Sequence, residues 1–247
     1  MASKIIVDQL EKTGGALTAL TLPTSNASAS EFLQNDGAGA LSWSSAAAGF
    51  SNMHFKTSSE TYTVPAGITK IVIDLISAGG GGGGGDGSQW SSGGSGGSNA
   101  IKTLSVSVGQ TYTVTIAVGG GAGGTGGSNG GAGGTASFVN ASGTTVNLQC
   151  TGGGAGKFNG ASDAGGVATG GDLNIDGARG NSTAGGGQSA WVAASTRWGF
   201  PSGWINSGAA AAQPGVGYGA GGCAAYAYLN GVGAAGRPGL CVITEYK

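Results

Sequence analysis

The chain has 247 residues, of which 57 are glycine, five are proline and only 9% are charged. Its ten basic residues are scattered singly among eleven acidic ones, so the clustered Lys and Arg that bind a phosphate backbone are missing and we expect no nucleic-acid partner. Collagen is excluded because it needs glycine at every third position and abundant proline.

Residues 1–49 are predicted to form a separate N-terminal segment. Residues 4–10 are predicted as a short strand, and Asn35-Asp36-Gly37 is a turn signal. The segment has too few large apolar side chains for a monomeric core, so we expect it to dock on a partner or to oligomerise. It lacks the apolar region of a signal peptide, which favours synthesis and folding in a cytoplasm. Residues 46–49 resemble a hinge before a second domain, residues 50–247.

Alternation of apolar and polar residues predicts β-strands in the second domain, and no helix-period pattern appears in the chain. Three hairpins are predicted from strand patterns around a turn: 62–64 with 71–76, 104–108 with 112–118, and 138–139 with 146–148. Residues 240–246 are predicted as a closing strand. The expected fold is all-β, with a β-sandwich-like domain whose glycine-rich excursions leave from strand ends.

Glycine recurs with a three-residue period from Gly120 to Thr135, which reads Gly-Gly-Ala, Gly-Gly-Thr, Gly-Gly-Ser, an inserted Asn129, Gly-Gly-Ala and Gly-Gly-Thr. Three residues per turn is the period of a polyproline-II-type helix, which has no internal hydrogen bonds and must bond to its neighbours. We predict that the glycines let such helices pack closely. A flexible Gly/Ser linker is the alternative, but it would need neither the triplet phase nor the flanking strand patterns.

The titratable residues predict no enzyme, no metal site and no cofactor. The single histidine, His54, is interpreted as a packed or surface residue and not as a general base. Asp163, Asp172 and Asp176 are interpreted as turn residues, because their segment lacks the length and terminal Glu of a calcium loop. The glycine run 79–85 is followed by no Gly-Lys-Ser/Thr, so a phosphate cradle is rejected. The three cysteines lie far apart in sequence and are expected to be buried thiols.

The second domain carries a family resemblance through pieces that stand in a specific order. These are Phe55, Thr63-Val64-Pro65-Ala66-Gly67, Ile71-Val72-Ile73, the glycine runs, Leu104, Val106, Val108-Gly109-Gln110-Thr111-Tyr112, Gly236-Arg237-Pro238-Gly239-Leu240, Val242-Ile243 and Tyr246. In this order, over residues 52–247, they resemble the glycine-rich domain at the distal ends of bacteriophage tail fibres. Some phage adhesins stack glycine helices into a layered lattice at the fibre tip, and the resemblance implies the same arrangement here.

The N-terminal segment carries a second resemblance. Its pieces are Ile5-Ile6-Val7-Asp8, Leu22-Pro23-Thr24-Ser25-Asn26 and Phe32-Leu33-Gln34-Asn35-Asp36-Gly37-Ala38-Gly39-Ala40-Leu41-Ser42-Trp43. They are similar to the N-terminal portion of short phage structural fibre proteins. Together the resemblances imply a homotrimeric virion appendage that attaches through this segment to the tail or to another fibre protein. The implied receptor is a bacterial surface glycan or an outer-membrane protein. A shaft repeat and a coiled-coil heptad are missing, which favours a tip or a short appendage.

Eight aromatic residues stand in glycine-rich surroundings with little apolar core to cover them: Trp90, Trp191, Trp198, Phe200, Trp204, Tyr218, Tyr226 and Tyr228. Such side chains are enriched at recognition sites, so they are the candidate receptor contacts, with residues 198–204 the strongest group. The alternative is that they seal the edges of the glycine layer or pack at a trimer seam.

Three other functions remain open at this point. One is an architectural virion decoration with no affinity for cells, and another is a glycine-lattice structural or ice-binding protein. A regular face for ordered water would have one short row of small residues, Ala122, Thr125 and Ser128. Polysaccharide cleavage is disfavoured because clustered carboxylates are missing.

Overall fold

The computed structural model describes residues 9–10, 20–21, 23–28, 31–35, 40–45, 49–141, 147–181, 193–200, 212–225 and 230–247. Every helix or strand in these ranges is a β-strand, so the predicted all-β fold is confirmed for this part of the chain. It also follows that none of these residues belongs to a helix long and apolar enough to cross a membrane. The chain divides into two compact units, residues 1–49 with Lys247, and residues 50–246.

The described residues form sixteen strands. In chain order they are β1 (Gln9–Leu10), β2 (Leu20–Thr21), β3 (Glu31–Asn35), β4 (Leu41–Ser45), β5 (Phe50–Lys56), β6 (Glu60–Thr63), β7 (Lys70–Ile76), β8 (Asn99–Ser105), β9 (Thr111–Thr115), β10 (Ala136–Asn140), β11 (Asn147–Cys150), β12 (Ala168–Thr169), β13 (Leu173–Ile175), β14 (Gly199–Phe200), β15 (Val216–Gly217) and β16 (Leu240–Tyr246).

The first unit contains two antiparallel strand pairs, β1 with β2 and β3 with β4. The second pair runs from Glu31 opposite Ser45 to Asn35 opposite Leu41, so the chain reverses where the Asn-Asp-Gly turn signal stands. Only Gln9 and Leu10 of the strand predicted over 4–10 lie within the described residues.

Two five-stranded antiparallel sheets form the body of the second unit. Sheet I has the order β13-β8-β7-β16-β5 and sheet II the order β12-β11-β10-β9-β6. The strands alternate between buried and exposed residues, and the buried faces of both sheets contribute to one apolar core. Its largest fully buried side chains include Ile71, Ile73 and Leu75 from sheet I, and Val114, Phe138 and Leu148 from sheet II.

Two of the three predicted hairpins are wrong. β6 and β7 lie in different sheets, so residues 65–67 turn the chain from sheet II into sheet I. β8 and β9 are likewise in different sheets: Leu104 pairs with Ile71, and β9 pairs with β6 and β10. The third hairpin and the closing strand are confirmed, with Phe138 opposite Leu148 and β16 between β7 and β5.

The glycine-rich segments lie beyond one end of the sheets and surround residues 77–85, here called the central segment. Its N–H groups donate in a three-residue cycle to three antiparallel segments. The first segment supplies the carbonyls of Arg237, Ala234 and Gly231, which accept from Gly79, Gly82 and Gly85 in that order. The second supplies those of Ser95 and Ser92 to Gly80 and Gly83, and the third supplies those of Gly131 and Ser128 to Gly81 and Gly84. The bonds are 2.8–3.0 Å long. None of these partners belongs to the central segment itself.

The carbonyl groups of the central segment follow the same cycle toward three parallel segments. Ala78 and Gly81 accept from Gly153 and Gly156, Gly79 and Gly82 from Gly120 and Gly123, and Gly80 and Gly83 from Gly222 and Ala225. One backbone is therefore bonded to six others, a pattern with no counterpart in a sheet, where a strand has two neighbours.

Glycine is required in the central segment because the surrounding backbones occupy the space of a side chain. A Cβ at Gly81 would stand 1.9 Å from the carbonyl oxygen of Gly121, and one at Gly80 would stand 2.0 Å from that of Gly154. Gly121, in contrast, faces open space, with no atom within 4 Å of an added Cβ. The interior glycines are thus fixed by packing, whereas this surface glycine is not.

The periodic stretch from Gly120 to Thr135 is two antiparallel segments and not one. Residues 125–127 form a turn in which Gly126 and Gly127 have φ of +76° and +78°, and the N–H of Gly131 then donates back to the carbonyl of Gly121. Because this turn separates them, Ala122, Thr125 and Ser128 do not continue along one straight segment. The short row of small residues predicted from their spacing is wrong.

Replacing Gly81 by Ala is expected to lower the free energy of unfolding by about 3 kcal/mol or more, since a methyl group must displace backbone. The matched variant Gly121→Ala is expected to leave it unchanged or raise it by up to about 1 kcal/mol, because alanine restricts the unfolded chain. Urea unfolding monitored by circular dichroism measures both. Equal destabilisation of the two variants would contradict the six-neighbour packing.

The stability of the fold is expected to fall at alkaline pH. Burial raises the pKa of the Cys150 thiol to about 12 and also raises that of Cys241. A group whose pKa is raised in the folded state stabilises the fold fully at pH values below its unfolded pKa, here about 9. That contribution is lost as the pH rises toward the folded-state pKa of about 12. Each thiol should contribute a slope of about 1.4 kcal/mol per pH unit in this window. Unfolding of Cys150→Ala should show a shallower slope; an unaltered slope would exclude Cys150 as its source.

Candidate functional site

The glycine-rich segments end in a group of neighbouring loops on the side away from the sheets, here called the loop end. The central segment leaves β7 and is followed by residues 86–90, after which the chain returns to β8. The same hydrogen-bond order brings residues 125–129, 158–162 and Asn230 to this end. Sequence-distant loops thus come together because their backbones are bonded in register below them.

Side-chain amides connect the loops at this end. Asn129 Oδ1 accepts the N–H of Phe158 at 2.9 Å, and Asn230 Oδ1 accepts the N–H of Gly126 at 2.7 Å. The carbonyl of Trp90 accepts the N–H of Asn159 at 2.8 Å. Asparagine is suited to connecting loops because its short side-chain amide readily forms hydrogen bonds with the backbone of turns. The inserted Asn129 that interrupts the glycine triplets is therefore a loop-to-loop connection.

The loop 86–90 is closed by its own carboxylate. Asp86 Oδ1 accepts the N–H of Ser88 at 2.8 Å and that of Gln89 at 2.9 Å, and the Ser88 hydroxyl bonds to the same carboxylate. The N–H of Ser88, followed by that of Gln89, holds the pKa of Asp86 below its usual range. The loop therefore carries a fixed negative charge and a defined backbone shape.

The predicted aromatic residues divide between two places. Trp90 is half-buried at the loop end, where Phe158 also lies; an added Cβ at Gly127 would stand 2.6 Å from the Phe158 ring. Phe158 was missed from the sequence, although it is an aromatic residue in glycine-rich surroundings like the others. Trp191, Trp204, Tyr226 and Tyr228 lie outside the described residues.

Trp198, Phe200 and Tyr218 lie instead beside sheet I, where the glycine segments begin. Trp198 Nε1 donates to Asp74 Oδ2 of β7 at 3.2 Å, and Tyr218 packs on Ile76 and other outer-face residues of the sheet. Phe200 is 65% exposed and stands opposite Val216, 59% exposed, in the β14–β15 pair. This pair, with Trp198, is called the flank surface below.

The carboxylates near the glycine loops have separate partners. Asp163 pairs with Lys157 at 2.6 Å, and Asp176 accepts the N–H of Ala168 at 3.0 Å. Asp172 accepts the N–H of Thr103, which together with Lys102 lowers its pKa. Within the described ranges no three His, Cys, Asp or Glu side chains are grouped as metal ligands would be.

His54 does have a carboxylate partner, which the sequence did not indicate. Its Nε2 lies 3.0 Å from Oε1 of buried Glu245, and the same oxygen accepts the Tyr62 hydroxyl at 2.8 Å. Burial, and then the bond to Glu245, raise the pKa of Tyr62. The three groups bond to each other between the sheets, so the arrangement satisfies the buried carboxyl group of Glu245 without involving the loops.

No protein-family model matches this chain, and no curated protein is significantly similar to it.

Proposed function

We propose that the chain is a non-enzymatic receptor-binding protein of a bacteriophage tail fibre, which recognises the surface of a host bacterium as part of the virion. The sequence resemblances described above suggest this class. The observation that carries the proposal furthest is the array of backbone hydrogen bonds around the central segment, because it holds several aromatic-bearing loops together at one end.

The glycine-rich segments are inferred to be polyproline-II-type helices. Their hydrogen-bond partners repeat every three residues, which is the number of residues per turn of that helix. Each turn then directs one N–H to each of three antiparallel neighbours. A support of this kind needs no side chains, so it leaves those of the loops available for a receptor.

Two surfaces that carry aromatic residues are proposed to contact the receptor. At the loop end, Trp90 and Phe158 are partly exposed, and the Asp86 carboxylate lies in the same loop as Trp90. This combination is suited to stacking on sugars and accepting hydrogen bonds from their hydroxyls. The flank surface presents Phe200 and Val216, which suit a protein partner better because neither offers a side-chain hydrogen bond. Both a surface glycan and an outer-membrane protein therefore remain consistent receptor classes.

The N-terminal unit is proposed to attach the protein to the tail or to another fibre protein and to join three copies. In the hairpin β3–β4, Phe32 is 46% exposed and its neighbour Leu33 is 42% exposed. Adjacent strand residues point to opposite faces, so both faces of the hairpin expose an apolar side chain. A two-stranded hairpin in this state needs a partner to be stable.

The native mass tests the trimer. Three chains of 23.3 kDa give 3 × 23.3 = 69.9 kDa, the value expected from light scattering of the purified protein. Replacing both Phe32 and Leu33 by Ser should reduce the mass toward that of one chain, because the hairpin loses the apolar contacts that join the copies. Val108→Ser, at an exposed turn residue of the second unit, serves as the control. A folded monomer in the unaltered protein would contradict this proposal.

Cell binding tests the receptor contact. The double variant Trp198→Ala/Trp204→Ala is expected to abolish binding of the labelled protein to host cells while the oligomer and Tm stay unchanged, since it removes Trp198 from the flank surface together with a second predicted receptor contact. Trp90→Ala is the matched variant for the loop end, and Val108→Ala is the control. If Trp90→Ala loses binding and the double variant keeps it, the receptor contact is restricted to the loop end. A trimer that binds no cells would favour the architectural function.

A further inference from the structure

Asp74 is a carboxylate-bearing residue whose cross-strand neighbours in sheet I are apolar. It lies on the outer face of β7, with Ile101 and Val242 as its cross-strand neighbours, and its side chain is only 13% exposed. Burying a charge among apolar side chains costs free energy, and a hydrophobic residue of similar size would usually serve stability as well or better. Stability of the sheet therefore does not explain the residue.

Two of the three side-chain partners of Asp74 come from a distant part of the chain. Oδ2 accepts the Trp198 indole N–H at 3.2 Å and pairs with Arg197 Nη1 at 3.3 Å, while Oδ1 accepts an N–H from Asn99 Nδ2 at 2.5 Å. The Arg197 guanidinium also lies 5.8 Å from the centre of the Trp198 ring, within cation–π distance. One carboxylate thus holds two consecutive side chains against sheet I.

Asn99 indicates that this cluster is arranged around Asp74. The amide group of Asn99 donates to Asp74 and to the carbonyl of Leu75, which leaves its own Oδ1 buried and without a partner among the described residues. An unpaired buried oxygen is destabilising. The cluster therefore favours the orientation of the Asp74 carboxylate over complete hydrogen bonding.

The backbone next to Arg197 and Trp198 connects this contact to the flank surface. The N–H of Thr196 donates to the carbonyl of Gly199 at 2.7 Å, and the N–H of Tyr218 donates to that of Trp198 at 3.0 Å. Gly199 pairs with Gly217 in the β14–β15 ladder, directly before Phe200 and its partner Val216. The β14–β15 pair has only two residues per strand, too few to fix its own position.

We propose that Asp74 is a positioning residue for receptor binding: by holding Arg197 and Trp198 on sheet I, it fixes the flank surface that presents Phe200. This rests on the proposed function. Trp198 then acts chiefly as an attachment to the sheet, since its indole N–H is already bonded, and Phe200 is the exposed aromatic residue that the attachment positions. Arg197 contributes through its charge.

Asp74→Asn tests the proposal because it keeps the size of the side chain and removes its charge. We expect quenching of tryptophan fluorescence by acrylamide to increase, and the increase to be missing when Asp74→Asn is combined with Trp198→Phe. Binding to host cells should fall about tenfold, the loss expected when one receptor contact is misplaced, with Tm nearly unchanged. Asp172→Asn, which removes an exposed charge paired with Lys102 on the same sheet, is the matched control and should change neither measurement.

Arg197 supplies a second test that a purely structural role would not pass. Arg197→Lys keeps the charge and should retain most cell binding, whereas Arg197→Met should resemble Asp74→Asn. Unchanged quenching in Asp74→Asn would overturn the attachment of Trp198, and increased quenching with unchanged binding would overturn its role in recognition. If the unaltered protein binds no cells, the proposed receptor function fails and with it the positioning role, whereas the quenching result still decides the attachment separately.

Discussion

The structure depends on how closely peptide backbones can approach when no side chain separates them. In the central segment, six neighbours supply the hydrogen bonds, and an added Cβ at Gly80 or Gly81 would overlap their carbonyl oxygens. Burying backbone in this way is feasible only because its N–H and C=O groups find partners. Glycine has the largest conformational entropy to lose on folding, so the bonds of all segments must form together to offset it.

The sheets provide the buried apolar surface that glycine residues cannot supply. Segments without side chains bury little apolar surface, whereas residues such as Ile73 and Phe138 form a conventional core between sheets I and II. The glycine segments continue directly from the strands: residue 77 follows β7, and β8 follows residue 98. Strand register in the sheets therefore determines which glycine backbones start side by side. The apolar core between the sheets thus stabilises the strands, and the strands in turn align the glycine segments that continue from them.

Local features of the fold were predictable from the sequence, and long-range pairings were not. Alternation identified strands such as β7 and β9, because it reflects burial of one face, whereas β16 was identified by apolar residues on both of its faces. It could not assign partners: residues 65–67 look like a hairpin turn, yet they lead from sheet II to sheet I. The glycine triplets indicated close backbone packing, but the partners of Gly79 and Gly82 lie about 150 residues away, at Arg237 and Ala234.

The same distinction applies to the candidate surfaces. Composition identified aromatic residues without apolar cover, and of these Trp90 is half-buried and Phe200 is exposed. Their separation into a loop end and a flank surface depends on contacts between distant residues. Loops at the loop end are supported by backbone bonds below them and by the Asn129 and Asn230 amides, so the aromatic side chains can vary without loss of those bonds. The flank surface depends on particular side chains, since Asp74 can hold Trp198 only while both are present. Under the proposed receptor function, the first surface can therefore be altered with less loss of structure than the second.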